Sequence, residues 1–234
     1  MQVSAETVSF PLAAPFAITG YTFHDTDTLR VTVTDGDATG QGEAVGTYYL
    51  GETAQSMLAD VRAVEHDLAS LKGRAELQEL MSVCGARNAL DCALWDLQCK
   101  QRGESIWDQL ALKPRPLTTV FTLGIAEPEA MAAAAAEARE LPQFKLKLDG
   151  DRPVERVEAV RRARPDARLI VDVNQGWSFD ELQEYLPSFA RLGIAMIEQP
   201  LPRGEDECLE GFRSPVPLGA DESCFANFVG YATD

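Results

Sequence analysis

The sequence has 234 residues, 45% of them hydrophobic and 25% charged, which excludes collagen-like, low-complexity and largely disordered classes. With 21 basic against 37 acidic residues the formal net charge is −16, so binding to nucleic acid or to an anionic membrane surface is disfavoured. No apolar run approaches the roughly 20 residues that span a bilayer, and residues 1–10 lack the basic start of a signal peptide. The five cysteines include no CxxC pair and are expected to be reduced, mostly buried thiols of a cytoplasmic protein.

In chain order, Leu29, Val31 and Val33 alternate with polar residues as in a half-buried strand, and Asp35-Gly36-Asp37 supplies a turn. Ala54, Met57, Leu58, Val61, Val64 and Leu68 then recur at helical spacing. A second helix is predicted over 82–101, with Gly103 as its C-terminal stop. Strands followed by helices predict a small α+β domain over residues 1–112.

From residue 113 the pattern alternates. Strands are expected at 118–125, 144–148, 168–174, 195–201 and 218–223. Helices are expected at 128–140, 153–163 and 178–192, with a weaker one at 206–212. Pro128 suits a first helical turn, and Ser178 with Glu181 forms a capping-box pattern. The βαβ order implies a parallel sheet with right-handed crossovers.

The ends of these strands carry the chemistry. One strand holds Lys145 and Lys147, and the next three end near Asp172, Glu198 and Asp221. Asp172 follows Lys147 by 25 residues, Glu198 follows Asp172 by 26, and Asp221 follows Glu198 by 23. One βα unit has about that length, so each group is expected at the same height on the carboxyl ends, where α/β proteins bind ligands. Three converging carboxylates repel unless a cation lies among them, and oxygen donors favour a hard ion, Mg2+ before Ca2+ or Mn2+. Lys145 and Lys147 point the same way along a strand, so each is expected to lower the other's pKa and make a base near neutral pH. A lysine base beside such an ion suits removal of the proton α to a carboxylate, through an enediolate.

Lys145-x-Lys147, Asp172-x-Asn174, Glu198-Gln199-Pro200 and Asp221-Glu222-Ser223 resemble motifs of the enolase superfamily, in its muconate-lactonizing subgroup. Residues 40–44 and 89–97 are similar to that family's capping domain. The resemblance implies the first part of a (β/α)8 TIM barrel, strands 1–5, over 113–234, preceded by an α+β capping domain over 1–112. It implies Mg2+ held by Asp172, Glu198 and Asp221, Lys147 as acid/base, and Lys145 tuning it or touching the carboxylate. Asn174 and Glu222 would orient these groups, and a loop near 16–26 would place Tyr21, Phe23 and His24 against substrate. The implied partner is a small carboxylate, in a homo-oligomer.

The motif string is most similar to amino-acid and dipeptide racemases or epimerases. Cycloisomerase, dehydratase and o-succinylbenzoate synthase chemistry share the same front half. Residues 113–234 amount to about half of a ~250-residue barrel, so the barrel looks incomplete after its fifth strand. The resemblance also calls for a lysine on a sixth strand, whereas the last lysine is Lys147. A catalytically silent binding protein is the reading from another class.

Overall fold

A computed structural model describes residues 1–224. Contacts divide the chain into two compact units. The first comprises Met1–Ala13 and His24–Pro116, and the second Ala14–Phe23 with the chain from Leu117 onward.

The first unit is built on a three-stranded sheet of order β1 (Gln2–Ile18), β2 (Tyr21–Asp35) and β3 (Ala38–Val45). Strand β1 carries too weak an alternation to stand out in the sequence: most of its side chains are exposed or half-buried. The expected strand at Leu29–Val33 is there, with all three apolar residues fully buried. It pairs antiparallel with β3, so that Val31 faces Gly42 and Val33 faces Gly40.

Helices α1 (Ala54–Ala63) and α2 (Glu65–Leu68) replace the single helix expected over that stretch. Val64 leaves helical geometry between them. A short α3 (Arg74–Leu80) follows, then α4 (Gly85–Arg102), which Gly103 closes in a left-handed conformation at φ +64°. Helix α4 lies so close on β3 that a Cβ at Gly40 would overlap the Ala93 carbonyl, and one at Gly42 the Ala89 carbonyl. The Gly40-x-Gly42 pattern is therefore a packing device. A one-turn α5 (Ile106–Gln109) ends the unit.

In the second unit five parallel strands lie in sequence order: β4 (Phe121–Leu123), β5 (Gln143–Lys147), β6 (Arg168–Asp172), β7 (Ile194–Glu198) and β8 (Leu218–Gly219). Helices α6 (Pro128–Glu137), α7 (Pro153–Ala163) and α8 (Phe179–Arg191) connect the first four. Pro128 opens α6, and the Ser178–Glu181 capping box opens α8. The helix expected at 206–212 is one 3-10 turn, Asp206–Leu209. Strand β8 is shorter than predicted because the chain turns at 220–221 into a second 3-10 turn, Glu222–Cys224.

Phe144, Leu146, Leu169, Val171 and Ile197 point into one apolar core with Trp177, Leu182 and Phe189. The alternate positions of β5, Lys145 and Lys147, face the other way and are half-buried. None of the five cysteines is fully buried, contrary to expectation, and Cys92 and Cys208 are exposed. In α4 the buried stripe is filled by Ala89, Leu90, Ala93 and Leu97, which leaves Cys92 outward. No helix among the described residues is long and apolar enough to cross a membrane.

Candidate active site

Strand register brings the predicted residues together. Lys147 pairs with Asp172, and Asp172 pairs with Glu198, so three groups share one level of the sheet. The partner of Glu198 on β8 is Gly219, not Asp221. Asp221 thus stands two residues beyond the level that equal unit lengths would give it, on the turn after the strand.

Asp172 is 1% exposed and is the hub. Its Oδ2 accepts from Lys147 Nζ at 2.5 Å and lies 2.8 Å from Lys145 Nζ. Its Oδ1 accepts the Asn174 backbone N–H at 3.0 Å. Lys145 Nζ also donates to Glu198 Oε1 at 2.8 Å. The acids expected to need a metal between them are thus bridged here by an ammonium. Lys147 Nζ donates further to Asn174 Oδ1 at 2.8 Å, and Asn174 Nδ2 donates to Glu222 Oε1 at 3.2 Å. Asn174 reaches this position with a left-handed backbone, φ 46°.

One electrostatic expectation is reversed. Burial pulls the Lys145 pKa down, but hydrogen bonds and charge from Asp172 and Glu198 outweigh it, and the net direction is up. The two carboxylates in direct contact decide the direction. Burial pushes the carboxyl groups of Glu198 and Glu222 above the ordinary range, and the charges of Asp172 and Asp221 push in the same direction.

Tyr21 and Phe23 open β2 in the same unit as the parallel sheet, with ring centroids 4.5 Å apart in an edge-on arrangement. His24, the third expected substrate contact, is assigned to the other unit. A cleft of about 550 Å³ in the first unit, lined by Leu71, Lys72, Arg74, Leu97 and Arg102 among others, contains none of the residues above.

The chain is similar to known proteins in both sequence and fold. Residues 1–111 match the mandelate racemase/muconate lactonizing enzyme N-terminal domain, and residues 129–229 match the enolase C-terminal domain-like family. The chain belongs to the mandelate racemase/muconate lactonizing enzyme family of the enolase superfamily. It is 37% identical to the L-Ala-D/L-Glu epimerase of Escherichia coli over 92% of its own length and 68% of that protein. It is 38% identical to an N-acetyl-D-glutamate racemase from Pseudoalteromonas over 84% of its length and 63% of that protein. Among solved structures, an Agrobacterium tumefaciens enolase family member with homology to dipeptide epimerases, bound to sodium and L-Ala-L-Glu, superposes with a TM-score of 0.90. That match has 40% identity and covers 94% of this chain and 68% of the other. A dipeptide epimerase from Enterococcus faecalis, complexed with Mg and L-Leu-L-Tyr, gives 0.88 at 26% identity, covering 96% and 68%. The chain spans about two thirds of the length of these relatives, whose named activities are isomerisations.

The donor set suits the divalent cation of such family members. When ionised, Asp172, Glu198, Asp221 and Glu222 outnumber Lys145 and Lys147 by two charges, and Glu222 Oε2 is buried without a hydrogen-bond partner among the described residues. Oxygen-only donors match a hard ion. Among the described residues no group of three or more such side chains is drawn together around one point, and Lys145 Nζ stands 2.8 Å from both Asp172 Oδ2 and Glu198 Oε1.

Gln199 is a site residue that motif reading left without a role. It is 1% exposed, with φ 36°. Its Oε1 accepts the backbone N–H groups of Asp221 at 2.9 Å and Ser223 at 3.0 Å, and its Nε2 donates to Leu201 O and Ser223 Oγ, both at 2.9 Å. Only the left-handed backbone after Glu198 turns this amide toward the β8 loop, and sequence carries no signal for that. Trp177, shortly after β6, is buried against Tyr185 and Phe189, and its Nε1 donates to Asp149 O at 3.0 Å.

Proposed function

We propose that this chain carries the proton-abstracting half of a Mg2+-dependent epimerase acting on the carbon α to the carboxylate of a dipeptide or N-acyl amino acid. The observation that carries it is the setting of Lys147. Two acceptors, Asp172 Oδ2 and Asn174 Oδ1, take up two of its N–H directions. A primary amine then has one direction left, and that direction takes the substrate proton.

Asp172, Glu198 and Asp221 would hold the ion, which supplies positive charge to the substrate carboxylate as it becomes an enediolate. Lys147 Nζ takes the α-proton and returns it. Asn174, held by Glu222, keeps that nitrogen aimed. Lys145, whose surroundings favour its charged form, neutralises Asp172 and Glu198 and serves as a cation, with Lys147 as the base. The names of the relatives support dipeptide and N-acyl amino-acid substrates over lactones.

The test is α-proton exchange in D2O with Mg2+, followed by NMR on L-Ala-L-Glu and a panel of dipeptides and N-acyl amino acids. Loss of the α-proton signal is expected in at least one member. No exchange across the panel would overturn the reading.

A further inference from the structure

The turn Thr19–Gly20 joins β1 to β2 and lies in the same unit as the parallel sheet. Thr19 Oγ1 lies 2.9 Å from Leu148 O and 2.7 Å from Val173 O. Those carbonyls belong to the residues directly after Lys147 and Asp172. One hydroxyl thus bridges the carboxyl ends of the two strands that carry the base and the hub of the site. The segment is fastened again one strand over, where Ile125 N–H donates to Ala17 O at 2.9 Å. The fit around Thr19 is close: a Cβ on Gly176 would stand 2.8 Å from Thr19 Cγ2. Tyr21 and Phe23 follow Thr19 by two and four residues, on one side of the starting strand.

We infer that Thr19 is a positioning residue for substrate selection: its hydroxyl anchors the turn that sets Tyr21 and Phe23 over the carboxyl ends of β5 and β6. This rests on the proposed dipeptide chemistry. The part of the substrate away from the reacting carbon, its side chain or its acyl or N-terminal residue, is what the anchored aromatics would meet. The reacting carboxylate is handled by Lys147 and the acids, which Thr19 does not touch. Losing the anchor should therefore weaken substrate binding more than it slows the proton transfer.

The experiment compares wild type with Thr19→Val, which keeps the shape and removes the hydroxyl, and Thr19→Ser, which keeps the hydroxyl. Amide hydrogen exchange over residues 20–26 is expected to rise about 5- to 10-fold in Thr19→Val and to stay near wild type in Thr19→Ser. KM for the dipeptide is expected to rise about 5- to 10-fold in Thr19→Val, more than kcat falls, with Thr19→Ser restoring it. Unchanged amide exchange in Thr19→Val would overturn the anchor whatever the activity. Faster exchange with an unchanged KM would overturn the role in selection. If Thr19→Val does not fold, a Thr19→Ser variant with wild-type KM supports the hydroxyl's role, and one with KM raised as far as kcat is lowered overturns it. Absence of α-proton exchange in wild type would instead sink the proposed function, and the amide exchange still decides the anchor.

Discussion

Gln199 accepts the backbone N–H of Asp221 in a 2.9 Å hydrogen bond, and this bond fixes where the third acid stands. Asp221 lies past the last paired residue of β8, so the strand ladder does not hold it. Gln199→Leu should leave the Asp221 and Ser223 N–H groups unpaired. Mg2+ affinity, followed by calorimetric titration, is expected to fall about 10- to 100-fold, as when other outer groups that orient metal ligands are lost.

Lys145 Nζ bridges Asp172 and Glu198, 2.8 Å from an oxygen of each. Lys145→Met removes that charge and leaves two acids adjacent. Without metal the variant should lose about 3 kcal/mol of stability, as when one partner of a buried ion pair is removed. Added Mg2+ should restore part of the loss, about 2.7 kcal/mol at a hundredfold excess over Kd. Urea melts with and without EDTA measure both.

Lys147→Ala should lower α-proton exchange by about 10²- to 10⁴-fold, the usual worth of a positioned acid/base. Asn174→Ala keeps the amine and removes one of its two acceptors. A smaller loss, about tenfold, is expected there. Equal losses in the two variants would contradict the assignment of Lys147 as the base.

Gly42→Ala inserts a methyl group against the Ala89 carbonyl of α4. Backbone cannot retreat as a flexible side chain can, so a cost of about 1–3 kcal/mol or more is expected in thermal or urea unfolding. Gly36→Ala, at an open turn with φ +60°, meets no atom within 4 Å among the described residues and should cost only its backbone strain, about 1 kcal/mol.

Asp166 supplies a pH-dependent contribution. The hydrogen-bonded Arg164 guanidinium holds its carboxyl down, from 3.8 to about 2. A carboxyl lowered in the folded state stabilises it above its unfolded value, and that contribution is lost as pH falls through the folded one. The stability difference between wild type and Asp166→Asn should therefore be constant above about pH 4 and vanish toward pH 2, as read by urea midpoints across that range.

Much was legible in the residues alone. Period-two alternation at Leu29–Val33, the capping box at Ser178 and the left-handed stop at Gly103 each depend on local chemistry, which one sequence states directly. The spacing of Lys147, Asp172 and Glu198 was legible because a βα unit has a nearly constant length and parallel register converts it into height. Strand β1 was not legible, since its side chains have no continuous buried face to mark it. Only the folded chain decided that Lys145 bridges Asp172 and Glu198, that Gln199 holds the Asp221 turn, and that Thr19 reaches Leu148 and Val173. Those contacts join residues 22 to 154 positions apart. They depend on where a side chain points after a left-handed backbone or across a sheet, and neither residue type nor spacing encodes that direction.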